Sequence, residues 1–251
     1  MDQTELERSI EAAGIHAPAY FREVTGSTNA WAVEWAADGA QEWSLFAVDH
    51  QTAGRGRMGR KWVDHPGSAL LFSFILRPHM APAAAGLLPL LAGWAMADAA
   101  WELSGADVRC KWPNDLLVRE RKVAGILSES RVVDGVLAFV VIGIGVNLEV
   151  PEEVADAGGL GRVDRGALLT AFLRRFRAAY LPDAPGFADA VRARWRDRSE
   201  TLGRDVEVTR VDGSRIRGRA LDVDGDGALL VETSDGPLWI SAGDVGLVGP
   251  G

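Results

Sequence analysis

His50-Gln-Thr-Ala-Gly-Arg-Gly-Arg-Met-Gly-Arg-Lys-Trp62 is the stretch on which the reading of this 251-residue chain turns. Gly54, Gly56 and Gly59 spell G-x-G-x-x-G. A dinucleotide-binding fingerprint needs a helix directly after such a loop and an acid about 20 residues on. Here Pro66-Gly67 arrives first, and no Asp or Glu occurs from His65 to Ala97. A Walker A loop fails as well, because Gly59 is followed by Arg60-Lys61 where Lys and then Ser or Thr are required. A protein kinase is excluded by the absence of H-R-D and D-F-G. What remains is a run of four cations, Arg55, Arg57, Arg60 and Lys61, separated by glycines that let a ligand approach the backbone. Guanidinium forks bind carboxylates and phosphates bidentately. The stretch therefore suits a ligand with several anionic oxygens, and it equally suits a solvated basic loop.

The composition around it is that of a globular chain, 47% hydrophobic and 25% charged. At about 150 residues per domain, the length implies one or two domains. Asp plus Glu outnumber Lys plus Arg by 35 to 27, a net charge of −8. Such a chain is a poor general binder of nucleic acid or anionic membranes, so its basic chemistry must be local. Cys110 is the only cysteine, which excludes an intrachain disulfide and a cysteine zinc cluster and fits a reducing, cytoplasmic setting. Met1 to Glu11 is polar and charged, without the apolar core of a signal peptide. Ala81 to Trp101 has the length of a membrane span, but Pro82, Pro89 and Asp98 interrupt it, so it reads as a buried helix beginning or kinking at Pro89.

Periodicity and punctuation give the remaining elements. Ser27-Thr28-Asn29 can cap a helix to about Asp38, with Trp31 and Trp35 sharing its buried face. Trp43–Asp49 and Ala69–Leu76 read as strands, and so do Val108–Trp112, Leu116–Val118, Val123–Ser128 and Val136–Val146. Gly166–Tyr180 and Phe187–Arg198 read as helices, with Arg174, Arg175 and Arg177 as the solvated face of the first. After Ser199 the texture changes to short β-rich runs split by Asp-Gly turns, the chemistry of a small β-barrel. The boundary falls near residue 200, giving units 1–199 and 200–251. Strands and helices do not alternate strictly in the larger unit, so the fold class is α+β with a mixed sheet.

Three further motifs carry chemistry. Lys111-Trp-Pro-Asn-Asp115 ends a strand, and Pro113 turns the chain there. Lys122 enters the apolar run Val-Ala-Gly-Ile-Leu, where an ammonium must find an anion or reach solvent. Gly143-Ile-Gly-Val-Asn147 closes the most apolar strand, its glycines leaving room for a ligand or for close packing. Ser-Thr-Asn at 27–29, the arginine-bearing glycine loop, Lys111–Leu117, Arg121–Leu127 and Gly143–Leu148 occur in the order and spacing of one family. The sequence resembles biotin–protein ligases from about residue 20 to 250, and the glycine loop together with Lys-Trp-Pro-Asn-Asp-Leu is its most specific part.

The resemblance implies a class II synthetase-like, biotin–lipoate ligase fold: a mixed sheet flanked by helices, with a small SH3-like C-terminal barrel. It implies two reactions. The biotin carboxylate attacks the α-phosphate of ATP to give biotinyl-5′-AMP and pyrophosphate; a lysine amine of a biotin carboxyl carrier protein domain, as in an acyl-CoA carboxylase subunit, then takes the acyl group and releases AMP. Mg²⁺ is expected on the phosphates and no protein-held metal. Ser27, Thr28, Asn29 and Gln51 are expected to recognise the ureido ring, with Gly54, Arg55, Gly56, Trp62 and Gly125 completing the biotin site. Arg57, Arg60, Lys122 and Asp115 are expected to be catalytic, Arg57 ordering the loop and Asp115 receiving the acceptor lysine. Arg57, Lys111, Asn114, Lys122 and Asn147 are expected to hold the nucleotide. A lipoate or octanoate ligase or transferase of the same fold is the alternative. The chain departs from many members in carrying Met58 where they carry Arg. The roughly 20 residues before the resemblance are too few for a winged-helix domain, so neither DNA nor a membrane is an expected partner.

Overall fold

Residues 69–76, Ala-Leu-Leu-Phe-Ser-Phe-Ile-Leu, carry apolar side chains toward both faces, and a strand of this kind has to be covered on both sides. The computed structural model, which describes residues 1–248, buries every one of them. The final residues of the expected C-terminal unit, 249–251, lie outside the described residues. In chain order the first sheet is built from β1 (Ala19–Thr25), β2 (Leu45–Gln51), β3 (Ala69–Leu76), β4 (Arg109–Lys111), β5 (Asp115–Val118), β6 (Arg121–Val133) and β7 (Val136–Asn147). Their spatial order is β1-β2-β3-β7-β6-β5-β4. β1 and β2 run parallel and the other neighbours antiparallel, the mixed sheet expected.

The helices are α1 (Gln3–Ala12), α2 (Thr28–Ala37), α3 (Leu87–Ser104), α4 (Arg165–Ala179) and α5 (Phe187–Asp197). Side-chain alternation divides them between the two faces of the sheet. Leu70, Phe72, Phe74 and Leu76 of β3 join a core with α1, α3 and α4, whereas Phe46 and Ile75 pack with Trp31, Ala32 and Ala36 of α2. α2 covers only part of its face. Trp62, from the glycine loop, packs over Val48, Ala69 and Leu71, and the cavity described below opens beside it. By length and composition α3, with the short turn before it, could cross a bilayer, but most of its apolar side chains are packed inside the fold.

Some local expectations need correction. α1 and β1 were not expected, since Met1 to Glu11 reads as merely polar; Leu6 and Ile10 nevertheless make one buried face, and the Asp2 carboxylate accepts from Glu5 N at 2.8 Å as an N-cap. Arg174 and Arg177 are exposed on α4, the solvated face expected, and Arg175 is the partly covered exception. Arg174 Nε donates to the Ala12 carbonyl at 2.9 Å, Arg177 lies over Gly14, and Arg175 bridges Asp98 and Glu102 on α3. The reason is that α4 packs between α1 and α3, so its polar stripe meets neighbours.

The C-terminal strands are β8 (Asp205–Thr209), β9 (Arg215–Val223), β10 (Leu229–Thr233), β11 (Gly236–Ile240) and β12 (Asp244–Leu247), antiparallel in the order β11-β10-β9-β8-β12. Gly213, Gly227 and Gly236 take positive φ in the connecting turns, as the Asp-Gly steps require. This small sheet is pinned to the larger one. Trp112 is buried with its Nε1 donating to the Gly227 carbonyl at 3.0 Å and its backbone N to Thr201 Oγ1 at 2.8 Å. Arg196 on α5 grips Asp222 of β9 through two bonds of 2.7 Å.

Asp98 joins three elements, accepting from Arg175 at 2.6 Å and from Arg198 at 2.7 Å. Burial alone would raise its carboxyl; the two guanidinium hydrogen bonds and charges outweigh burial and hold it below the usual carboxylate range. A carboxyl depressed in the folded state contributes stability that is present above its unfolded value near ~3.9 and lost as pH falls through the folded value. Asp98→Asn is therefore expected to lower stability at neutral pH by up to about 1 kcal/mol, the pairs being partly exposed and screened, and to flatten the loss of stability between pH ~5 and ~2, both read by urea titration across pH.

Candidate active site

The cavity lies on the sheet face that α2 leaves open. Its floor is made of glycines, Gly125 on β6 and Gly143 and Gly145 on β7; β7 lies between β3 and β6, with Gly125 opposite Gly145, and any side chain there would fill the space. A Cβ on Gly145 would stand 2.6 Å from Trp62 Cε2, and one on Gly125 would stand 3.0 Å from Trp62 Cζ3. The Trp62 ring thus lies directly over the glycine floor and walls the cavity.

One end is uncharged and polar. Thr28 and Asn29 open α2 and are buried, with Ser27 before them. Gln51 Oε1 accepts from Thr28 N at 2.8 Å. Ser73 Oγ lies 2.8 Å from Thr28 Oγ1 and 2.7 Å from Asn29 Oδ1. The other end is cationic. Lys122 Nζ stands 2.6 Å from Asp115 Oδ1, an ion pair by distance, although the oxygen is not aligned as a hydrogen-bond acceptor. Arg57 Nη1 reaches Asn114 Oδ1 at 3.4 Å, and Asn114 is itself fixed to β6 by Nδ2 donating to the Ile126 carbonyl at 2.7 Å. Burial pulls the Arg57 guanidinium below its ordinary value; Asp244 and Asp115 counter that pull, and Arg60 adds to it. Arg60 pairs with Asp244 at 2.6 Å, so β12 of the small sheet also borders the site.

One cavity therefore joins a neutral hydrogen-bonding end to a cation-rich end across a flat aromatic and glycine channel. It fits a ligand with a polar uncharged head, a slender middle and an anionic tail that meets a second anion.

The chain matches the Biotin/lipoate A/B protein ligase family over residues 21–147 and the Biotin protein ligase C terminal domain over 201–248. The chain belongs to the biotin/lipoate A/B protein ligase family. It is 36% identical to the biotin--[acetyl-CoA-carboxylase] ligase of Mycobacterium tuberculosis, covering 95% of this chain and 94% of that protein. It is 30% identical to the bifunctional ligase/repressor BirA of Bacillus subtilis, covering 98% of this chain and 79% of that one. Among solved structures, the Aquifex aeolicus biotin protein ligase in complex with biotin and ATP superposes with a TM-score of 0.74 at 28% identity, covering 92% of this chain and 98% of that one. The expected fold, a mixed α+β ligase domain followed by the family's C-terminal domain, is the fold found.

Most of the residues singled out in the sequence meet at this cavity: Ser27, Thr28, Asn29, Gln51, Arg55, Gly56, Arg57, Arg60, Trp62, Asn114, Asp115, Lys122 and Gly125 all line it. Gly54, Lys111 and Asn147 do not. Gly54 is buried where a Cβ would stand 2.6 Å from the Trp62 carbonyl oxygen, so it shapes the loop rather than the wall. Lys111 lies on β4, the far edge strand. Asn147 donates its Nδ2 to the Gly158 carbonyl at 3.1 Å and is covered by that segment. Sequence reading missed Ser73, Glu129 and Asp244. Only Ser73 carried a signal, as the single hydroxyl in an otherwise apolar strand.

If the Trp62 ring fixes the floor, Gly145→Ala should cost about 1–3 kcal/mol by overpacking, measured by denaturant titration. In a Trp62→Ala background the same change should cost little, and this coupling distinguishes ring contact from a backbone effect.

Proposed function

We propose that this protein is an ATP-dependent biotin–protein ligase, which activates biotin as biotinyl-5′-AMP and transfers it to a lysine of a biotin carboxyl carrier protein domain. The observation that carries this reading is the joining, in one cavity, of the neutral polar end at Thr28, Asn29 and Gln51 to the cationic end at Arg57 and Lys122. A urea both donates and accepts hydrogen bonds, which hydroxyls and amides match without charge. The dithiolane of lipoate and the bare tail of octanoate offer nothing to that end, so it favours biotin over the lipoate or octanoate alternative.

In the first step the biotin carboxylate oxygen bonds to the α-phosphorus, and the bond to the bridging oxygen of the pyrophosphate leaving group breaks. An anion is pushed onto a polyanion. Each unit charge pair at ~4 Å is worth about 4 kcal/mol at an effective dielectric near ~20, so pre-placed cations lower the barrier directly. Arg57 is suited to this, being drawn below its ordinary value by burial and in contact with no carboxylate of its own among the described residues. Lys122 exchanges Asp115 for the biotin carboxylate and an α-phosphate oxygen. That exchange frees Asp115 to orient the incoming lysine amine and take its proton in the second step, while AMP leaves with the electron pair of the broken acyl–phosphate bond. ATP enters as its magnesium complex, with the cation travelling with the substrate. Arg60, Asn114 and the glycine loop contribute to the phosphate end. A cytoplasmic location goes with this reading, as does a division of the chain near residue 200.

Lys122→Ala and Arg57→Ala are each expected to slow biotin-dependent ATP–pyrophosphate exchange by about 100-fold or more; exchange at the parental rate would remove those roles. Asp115→Asn should form the adenylate within a few-fold of the parent and transfer it to a carrier domain about 100-fold more slowly, as read by single-turnover labelling with radioactive biotin. Calorimetric titration with biotin and then with lipoate tests the substrate class, and tighter binding of lipoate would favour the alternative.

A further inference from the structure

Ser73 is fully buried and has a single hydroxyl proton, yet its Oγ lies within hydrogen-bond distance of two oxygens, Asn29 Oδ1 at 2.7 Å and Thr28 Oγ1 at 2.8 Å. Which of the two receives that proton is settled farther along the chain of contacts. Asn29 Nδ2 donates to Glu129 Oε2 at 2.8 Å and to the Leu127 carbonyl at 3.2 Å. Both partners are acceptors, and the other carboxylate oxygen of Glu129 is taken by Arg55 Nη2 at 2.9 Å. The Asn29 amide cannot be turned over without setting its oxygen against those acceptors, so Oδ1 faces Ser73 and requires a donor. Ser73 therefore donates to Asn29. The Thr28 hydroxyl must then donate inward to Ser73. Its alternative acceptor, Gln51 Oε1, is farther at 3.3 Å and already accepts the Thr28 backbone N–H. Gly143 belongs to the same arrangement, since a Cβ there would overlap the Asn29 amide oxygen.

With its proton turned inward, Thr28 Oγ1 offers the cavity lone pairs only. We propose that Glu129 and Ser73 are positioning residues which, acting through Asn29, fix the Thr28 hydroxyl as an obligate acceptor for a ligand N–H, and that this polarity selects a ureido ring at the closed end. The proposal rests on the biotin reading above and deepens it. Glu129 and Ser73 act from outside the reacting atoms; neither lines the cavity.

The test is calorimetric titration of the full chain with biotin and with the two analogues in which one or the other ureido N–H is replaced by oxygen. In the parent protein one analogue is expected to bind at least about tenfold more weakly than biotin, because an acceptor meets an acceptor. Glu129→Gln places an amide where the carboxylate stood and lets the Asn29 amide turn over; Ser73→Ala removes the relay. Each variant should weaken biotin about tenfold and bring biotin and that analogue to within about threefold of each other. A merely structural role would weaken all three ligands alike, and equal weakening or unchanged discrimination in both variants overturns the proposal. Glu129 is half-exposed, so Glu129→Gln retains the test should Ser73→Ala fail to fold. A parent protein that binds none of the three would instead overturn the biotin reading.

Discussion

Cations gathered to meet an anionic reaction repel one another, and a protein that collects them must hold them with charges of its own. This constraint organises the site. Arg55 rests on Glu129 at 2.9 Å, Arg60 on Asp244 at 2.6 Å and Lys122 on Asp115 at 2.6 Å. The first two pairs tie the loop to β6 and to β12, and the third joins β6 to β5. Each tie is partly exposed, and exposed pairs contribute little to stability; their value is that they place charge without locking it. Arg57 is the contrast, because Asn114 offers it only a neutral amide oxygen at 3.4 Å while burial removes water from it. A desolvated cation of this kind gains most when an anion enters.

The neutral side of the cavity follows from an incomplete layer. α2 covers Phe46, Ile75, Phe139 and Val141 and then ends, leaving the same face of β3, β6 and β7 open farther along. Alternation brings Ser73, Gly143 and Gly145 to that opening, and the glycines keep it from closing on itself. Trp62 supplies the missing cover, with Lys122 Nζ 5.9 Å from its ring centroid. One aromatic side chain therefore completes the core and borders the charged end. Trp112 performs a related service on the opposite side of the Lys-Trp-Pro-Asn-Asp turn, where its buried indole locks that turn against Gly227 of the small sheet.

Elements whose periodicity is strong were legible from residues alone: β3 falls on Ala69–Leu76 as read, and α4 and α5 differ by a residue at their ends. β12 was missed because Asp-Val-Gly-Leu is too short to show alternation. The residue types of the active site were legible because loops collect Gly and Arg for reasons of local chemistry. Their partners were not, since Glu129 is 74 positions from Arg55 in sequence and only strand pairing brings them together. Asn147 shows the reverse failure. It shares strand parity with Gly143 and Gly145, yet at the strand end the 156–158 segment crosses beside β6, Lys122 N donating to Asp156 O at 2.9 Å, and occupies its amide.

Met58 completes the argument about charge. It stands at φ 54°, the left-handed region, between Arg57 and Arg60 and exposed at the cavity mouth. The resemblance read in the sequence implies arginine there, but the carboxylates beside this loop are engaged: Glu129 by Arg55, Asp244 by Arg60, Asp115 by Lys122. A further guanidinium would find only like charge, whereas a thioether adds flexible apolar surface to the mouth without repulsion. The left-handed backbone costs a non-glycine residue roughly 1–2 kcal/mol.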